Sequence, residues 1–181
     1  MKGNKMSVYH IVINPAGASG RTNECWDIIK KELDTIGVDY KVHLSNLEHG
    51  IKEIMQELTS TNERVNIILI GGDGSMNLAV NGIVNFEKTY LGLIPCGSGN
   101  DLAKSLGIHG TEIECLHRIL NDQHGKDLDV GVLTYHTRYD EKGNKVSDEP
   151  YSRRYNISSG IGYDAVSYTH LRAHETGRNL V

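Results

Sequence analysis

Three glycine-rich segments of the sequence have residue types that suit phosphate binding. They span residues 14–20, 71–77 and 97–101, and each follows an apolar run and precedes a helical pattern. Glycine lets main-chain amides approach an anion closely because no Cβ intrudes. The helix that follows adds unpaired N–H groups and the positive end of its dipole. A single segment of this kind could be an ordinary turn, but three in one chain predict a phosphate-binding site.

Asp73 is the residue in these loops with the clearest potential for chemistry. It lies between glycines at the end of the apolar run 67–70. A carboxylate there repels phosphate unless a metal ion or a transferable proton intervenes, and Mg²⁺ bridging phosphate oxygens removes the conflict. Asp73 could also cap the helix predicted to start at Ser75, and the two roles are compatible. Asp73 is therefore a candidate metal ligand or catalytic base.

Two common nucleotide-binding signatures are absent from the sequence. No Gly-x-x-x-x-Gly-Lys-Ser/Thr segment occurs, which excludes a P-loop protein. The third loop has Leu102 where the dinucleotide fingerprint needs its third glycine. These loops must bind phosphate in another way.

Strand and helix patterns alternate around the loops. Apolar runs predict strands at residues 8–13, 40–44, 67–70 and 90–94. Apolar residues spaced by three and four predict helices at residues 26–36, 51–58, 75–84, 102–106 and 113–120. The first of these helices carries its apolar stripe at Trp26, Ile29, Leu33 and Ile36. The alternation predicts an α/β fold with a doubly wound, mostly parallel sheet. Ligands bind at the carboxyl ends of the strands in such a sheet, so the three loops should meet in one crevice.

The character of the sequence changes beyond Gly125. Residues 1–125 are predicted to form a nucleotide-binding α/β domain, and residues 126–166 the start of a β-rich second domain. Its predicted strands are residues 129–135 and 155–158, and the polar stretch between them is expected to be an exposed hairpin loop. Residues 167–181 lack either periodicity and are predicted to be a non-native tail, in which case Leu171 and Leu180 should not belong to a core.

Composition narrows the class of protein. The 181 residues carry a net charge of −4, which gives no electrostatic footprint for nucleic acid. No apolar run approaches the ~20 residues of a transmembrane helix. Cys25, Cys96 and Cys115 are widely spaced without a Cys-x-x-Cys pair, so neither a disulfide framework nor a zinc site is expected. A cytoplasmic location is expected.

The segments NPAGASGR, GGDGSMNLAVNGI and LGLIPCGSGNDLAKSLGI, in this order and spacing, resemble the catalytic domain shared by diacylglycerol kinases, sphingosine kinases and bacterial lipid kinases. The resemblance covers about residues 8–167. NAD kinases and phosphofructokinases use a loop related to GGDG, whereas GSGNDLAKSLGI is specific for the lipid-kinase branch. The resemblance implies a fold like that of NAD kinases and diacylglycerol kinases, with ATP and Mg²⁺ as cofactors.

The resemblance also implies individual site residues. Asp73 and Asp129 are implied in binding or supporting Mg²⁺. The residues implied in ATP binding are Asn14, Pro15, Ala16, Gly17, Ala18, Ser45, Gly71, Gly72, Asp73, Gly74, Ser75, Met76, Asn77 and Ser98.

The implied reaction is transfer of the γ-phosphoryl group of Mg-ATP to the hydroxyl of a lipid such as diacylglycerol, presented at a membrane surface to a peripheral enzyme. Two alternatives stay open. One is a kinase for a soluble nucleotide such as NAD, and the other is a truncated ATP-binding module without turnover. The sequence leaves a homodimer open and does not identify the lipid.

Overall fold

The computed structural model describes residues 8–122, 125–140 and 142–157. Strands and helices alternate through the first part of the chain, as predicted. The strands are β1 (Tyr9–Ile13), β2 (Tyr40–Leu44), β3 (Val65–Gly71), β4 (Thr89–Pro95), β5 (Gly131–Tyr135), β6 (Arg138–Tyr139), β7 (Lys145–Ser147) and β8 (Tyr151–Tyr155). The helices are α1 (Arg21–Ile36), α2 (Ile51–Thr59), α3 (Asp73–Gly82), α4 (Asp101–Ser105) and α5 (Glu112–Asn121).

The first four strands form one parallel sheet in the order β2-β1-β3-β4. All seven residues of β3 are buried, which fits the apolar run at residues 67–70 within it. Side chains of β1 and β3 alternate between two cores, so that Val12 and Leu69 pack with α2 and α3 while Ile13 and Ile70 pack with α1 and α5. Helices therefore cover both faces of the sheet. The predicted α/β fold class is confirmed.

Two helix predictions differ from the structure in detail. Helix α3 begins at Asp73 rather than Ser75 and ends at Gly82, because Gly72 before it and Ile83 after it are extended. In α1, Ile29 and Leu33 are buried as predicted, but Ile36 is 40% exposed. The helix ends there, at Gly37 in the left-handed conformation with φ of 71°.

The chain beyond residue 125 forms two small antiparallel pairs, β5 with β8 and β6 with β7. The predicted strand 155–158 is wrong in position, because β8 spans Tyr151–Tyr155. The predicted hairpin loop itself contains β6 and β7. Val130 and Ile157 pack against the core beside α2 and α3. The predicted non-native tail, with Leu171 and Leu180, lies outside the described residues.

The cysteines depart from the expectation of no disulfide. The structure pairs Cys25 of α1 with Cys96 after β4, with their Cα atoms 6.9 Å apart and a sequence separation of 71. Both side chains are buried beneath the sheet edge that carries the loops. Spacing gives no signal for such a pair, since α1 and the end of β4 meet only in the folded chain. No helix in the described part of the chain has the length and apolar character needed to cross a bilayer.

Candidate active site

The second and third glycine loops touch through their main chains. A Cβ added to Gly72 would lie 2.8 Å from the Cα of Gly97, and one added to Gly97 would lie 2.7 Å from the Cα of Gly72. Just before them, the N–H of Cys96 donates to the carbonyl of Gly71 at 2.9 Å. Glycine at both positions is therefore required by the close approach of the two loops.

Asp73 joins these loops a second time. Its Oδ2 accepts the N–H of Asp101 at 3.0 Å, and its Oδ1 accepts the N–H of Leu102 at 3.1 Å. These are two of the N–H groups that the first turn of a helix leaves unpaired. Asp73 thus caps α4 rather than its own helix, whose N-cap Gly72 has no side-chain cap. The expectation that Asp73 caps the helix after it is wrong, because α4 begins directly beside its carboxylate.

Asn100 explains why α4 needs a cap from elsewhere. Asn100 is its N-cap residue and has a left-handed conformation with φ of 55°. The Asn100 side chain turns back to Gly97, accepting its N–H at 2.9 Å and donating to its carbonyl at 2.7 Å. The Asn100 side chain therefore closes the third loop, and the start of α4 is capped by Asp73 instead.

Two carboxylates flank the space above Gly99. A Cβ added to Gly99 would lie 3.1 Å from Oδ2 of Asp73 and 3.7 Å from Oδ2 of Asp101. Lys104 approaches the other oxygen of Asp101 at 3.4 Å. Mg²⁺ is commonly held by one or two carboxylates together with substrate phosphates and water, so these two side chains are the candidate ligands for the ion. Among the described residues, no group of three or more His, Cys, Asp or Glu side chains could hold a metal by itself.

Asp129, the other predicted magnesium residue, is exposed just before β5. Its neighbour Val130 packs against the core that contains α3. In the described part of the chain, no hydrogen bond joins Asp129 to Asp73 or Asp101. Its support of the ion stays a prediction.

The first glycine loop is folded back on itself. Oδ1 of Asn14 accepts the N–H of Ala16 at 3.1 Å, and the Asn14 carbonyl accepts the N–H of Gly17 at 2.9 Å. Pro15 lies within this turn, and Ala18 lies in the 3₁₀ turn that follows, Gly17–Gly20. The side chain of Asn14 and two of the loop amides are thus occupied within the loop.

The predicted serine contacts lie at the same edge of the sheet. The N–H of Ser45 donates to the carbonyl of Ile13 at 2.9 Å, which places Ser45 beside the start of the first loop. Ser98 is exposed in the third loop. Ser75 packs against Gly71, since a Cβ added to Gly71 would lie 2.7 Å from Oγ of Ser75. Their hydroxyls make no hydrogen bond to the described residues.

Gly74 differs from the other loop glycines. It is exposed in the first turn of α3, and a Cβ added to it would meet nothing within 4 Å. Its backbone has no positive φ. The packing and backbone conformation of the chain therefore do not require glycine at this position. A ligand that approaches the start of the helix would require it, because a side chain would block the approach.

Met76 and Asn77 complete the second loop in different ways. Met76 is 6% exposed and packs in the core, and its N–H donates to the carbonyl of Gly72 at 3.0 Å. Oδ1 of Asn77 accepts from Nη2 of Arg153 at 3.1 Å. Met76 therefore supports the loop from inside, and Asn77 connects it to β8.

The sequence profile of the diacylglycerol kinase catalytic domain matches residues 8–133 of the chain. The chain belongs to the diacylglycerol kinase catalytic domain family. The match contains all three glycine loops and Asp129, and it ends within β5.

Individual relatives support this membership. The chain is 32% identical over 132 residues to the diacylglycerol kinase of Bacillus subtilis (strain 168), and the aligned part is 68% of this chain and 41% of that protein. It is 27% identical over 107 residues to sphingosine kinase 2 of Homo sapiens, which is 55% of this chain and 16% of that protein. The crystal structure of a diacylglycerol kinase from Bacillus anthracis str. Sterne matches with a TM-score of 0.56 at 27% identity, over 71% of this chain and 44% of that chain. The chain spans less than half the length of each of these relatives.

No motif in the sequence marks several residues of this diacylglycerol kinase domain that the structure places at the site or along α3, the helix that leads away from it. Asp101 was placed in the third loop, but its approach to Asp73 depends on how α3 and α4 pack. Asn81 lies in α3, and Arg153 and Arg154 lie in β8. One signal was present, since Asp73, Asn77 and Asn81 recur at intervals of four and so share one face of α3.

Proposed function

We propose that this chain is the nucleotide-binding part of a lipid kinase, which transfers the γ-phosphoryl group of Mg-ATP to a lipid hydroxyl such as that of diacylglycerol. The observation that carries the proposal is the junction of the second and third loops. There the Asp73 carboxylate bonds the start of α4 while Gly72 and Gly97 meet main chain to main chain. One phosphate-binding edge and one pair of carboxylates thereby face the same space.

The start of α3 supplies the phosphate site in this proposal. Its positive dipole end and free N–H groups suit an anion, and the open space at Gly74 leaves room for one. The first loop, Ser45 and Ser98 lie along the same edge and are proposed to bind the remainder of the nucleotide. This arrangement relies on main-chain groups without the lysine that a P-loop protein adds to them.

Asp73 and Asp101 are proposed to hold Mg²⁺ together with the phosphates, and Asp129 to support them. The ion, when bound, neutralises charge on the phosphate groups. The two N–H bonds to Asp73 fix the direction of its carboxylate. This fixed carboxylate suits a metal ligand better than a base that must follow a moving proton, so the metal role of Asp73 is preferred.

The lipid acceptor is supported by the relatives rather than by contacts in this chain. Relatives are named as a diacylglycerol kinase and as a sphingosine kinase. Both names describe phosphorylation of a lipid alcohol, which favours this class over a soluble nucleotide such as NAD. A peripheral position at the cytoplasmic face of a membrane is part of the same proposal.

Thermal unfolding with and without Mg-ATP tests the nucleotide site. A ligand present at 100 times its dissociation constant should stabilise the fold by about 2.7 kcal/mol. Asp73→Asn should abolish the shift, whereas Asp148→Asn, in the distal hairpin, should keep it. A cooperative unfolding transition that Mg-ATP leaves unmoved in the unchanged chain would overturn the nucleotide site.

The acceptor needs a separate assay with the full-length protein. Phosphoryl transfer from labelled ATP to diacylglycerol in mixed micelles is expected, with little transfer to NAD. Robust phosphorylation of NAD instead of lipid would overturn the proposed lipid acceptor. Turnover in the full-length protein without turnover in this chain would identify the chain as a binding module of the enzyme.

A further inference from the structure

One face of α3 carries a line of three polar side chains, Asp73, Asn77 and Asn81. Residues four apart in a helix lie above one another on the same face. Asp73 stands at the phosphate-loop end and Asn81 at the opposite end. Asp73 accepts hydrogen bonds from α4, as described above, and Asn77 and Asn81 form hydrogen bonds with β8. This line therefore connects β8 to the phosphate loop.

Asn81 fixes the position of β8 along the helix. Its Oδ1 accepts the N–H of Arg154 at 2.9 Å, and its Nδ2 donates to the Arg154 carbonyl at 2.8 Å. In a β-sheet, a neighbouring strand would form the hydrogen bonds to these two main-chain groups of Arg154. The Arg154 guanidinium also donates to the carbonyls of Val80 and Ile83 at the end of α3, at 3.4 and 3.1 Å. It lies 4.9 Å from the centre of the Phe86 ring. β8 cannot slide along α3 without breaking these contacts.

This docking sets where the side chain of Arg153 lies. Its Nη2 donates to Oδ1 of Asn77 at 3.1 Å. Asn77 is four residues from Asp73, which corresponds to about 6 Å along a helix. The guanidinium is thus held about one helical turn from the loop at which phosphate is proposed to bind.

Most of the hydrogen-bond donors of Arg153 are available to a ligand. A guanidinium carries five N–H donors, and the contact with Asn77 uses one. Arg153 is exposed, and none of the ion pairs among the described residues includes it. Arginine suits phosphate because its planar fork can bond two oxygens together and its charge persists at any physiological pH. A fixed, unpaired guanidinium beside a glycine loop without lysine fits the negative charge that phosphate brings.

We propose that Arg153 binds the phosphate chain of the nucleotide, and that Asn77 is the positioning residue that holds its guanidinium toward the loop. The proposal rests on the proposed function, since it assumes that nucleotide phosphate binds at the start of α3. It adds a cation from β8, a strand that lies outside the matched family segment, to a loop that supplies main-chain donors. Asn81 and Arg154 provide the support for this cation.

Mg-ATP affinity of purified variants, measured by calorimetry, tests the proposal. Arg153→Ala should weaken Mg-ATP binding about tenfold or more, since a hydrogen bond to a charged group has that magnitude. Arg153→Lys should restore part of the affinity, because it keeps the charge without the fork. Binding should also become less sensitive to salt in Arg153→Ala. Arg138→Ala is the matched control, because it removes an exposed arginine in β6 that stacks near Tyr151.

The outcomes separate this proposal from the function on which it rests. If the unchanged chain binds Mg-ATP and Arg153→Ala binds it equally well, the role of Arg153 is overturned while the nucleotide site stands. An equal loss in Arg153→Ala and Arg138→Ala would also overturn it, since total charge would then be responsible. If the unchanged chain does not bind Mg-ATP, the nucleotide site fails and this proposal fails with it. Unligated variants should unfold at the same temperature as the unchanged chain, which excludes a loss caused by misfolding.

Discussion

The side-chain amide of Asn81 hydrogen-bonds both main-chain polar groups of Arg154, although the two residues are 73 positions apart in sequence. Asparagine is a mediocre helix former, so the helix itself gives no reason for one in the last turn of α3. Here the Asn81 amide forms the two hydrogen bonds to Arg154 that a neighbouring strand would form in a β-sheet. The contact joins a helix of the α/β domain to the antiparallel ribbon that follows.

Asn81→Ala should loosen this junction. The N–H of Arg154 loses its side-chain partner, and its carbonyl keeps only Nδ2 of Asn77 at 3.5 Å. A half-buried main-chain group without a partner costs about 1–2 kcal/mol. Urea denaturation should show that loss in the free energy of unfolding. Limited proteolysis should cut the 136–150 segment faster in the variant. Asn62→Ala, in the exposed turn before β3, is the control and should leave α3 and β8 joined. Unchanged proteolysis and stability in Asn81→Ala would contradict the role given to this amide.

Asp73→Ala should damage both stability and ligand response. It removes two hydrogen bonds to the start of α4, and loss of a helix cap costs about 1 kcal/mol, up to about 2. It also removes a carboxylate proposed to hold Mg²⁺. Thermal unfolding should therefore show a lower midpoint without ligand and no Mg-ATP shift. Asp73→Asn keeps an acceptor, so it should recover part of the stability but not the shift. Recovery of the Mg-ATP shift in Asp73→Asn would exclude the metal role.

Gly74→Ala and Gly97→Ala should separate ligand binding from folding. Gly74→Ala adds a methyl group into open space within a helix, so stability should be kept or raised, by up to about 1 kcal/mol. Mg-ATP binding should nevertheless fall, because the methyl group occupies the approach to the helix start. Gly97→Ala forces its Cβ against the main chain of Gly72 and should cost about 1–3 kcal/mol of stability. Denaturation and calorimetry on both variants check this. Full Mg-ATP affinity in Gly74→Ala would count against a phosphate at that position.

His10 and His43 should make stability depend on pH below neutrality. Their ring nitrogens lie 3.0 Å apart. Burial lowers the pKa of both histidines, and Lys41 lowers both further while Glu57 partly opposes this for His43. The unfolded chain therefore takes up protons first, so stability is full above about pH 6.5, the ordinary value for histidine. It should fall as the pH drops from there toward the lowered folded-state pKa values, and level off below them.

Urea denaturation between pH 7.5 and 5 measures this histidine effect. The window is clear of Glu114 and Asp140, whose pKa values are lowered from ordinary carboxylate values by hydrogen bonds from Thr111 and from Asn144. Replacing both His10 and His43 by asparagine should flatten the profile. His136→Asn, in the exposed turn after β5, should not. A steep profile that survives the double replacement would assign the acid sensitivity to other groups.

More of the fold than of the contacts within the site could be predicted from the sequence. The apolar run 67–70 in β3 and the alternation of strands and helices depend on local sequence, and they are enough to predict the sheet and the edge at which the loops lie. The Asp73 carboxylate could be recognised, but not its partner, because Asp101 lies 28 residues on and reaches it only through packing of α4. The position of β8 was missed for a related reason. The Tyr151–Tyr155 segment has a polar, arginine-containing sequence whose pairing is decided by Asn81 and by β5.

The matched family segment and the folding unit do not end at the same place. The match stops at residue 133, whereas the strand that satisfies Asn77 and Asn81 begins at Tyr151. A chain cut at the end of the match would keep every glycine of the three loops, yet it would expose two amides and the flank of α3 to water. Expression boundaries for this protein should therefore be chosen beyond β8. A shorter piece would retain the residues that identify the family while losing the strand that holds their helix in place.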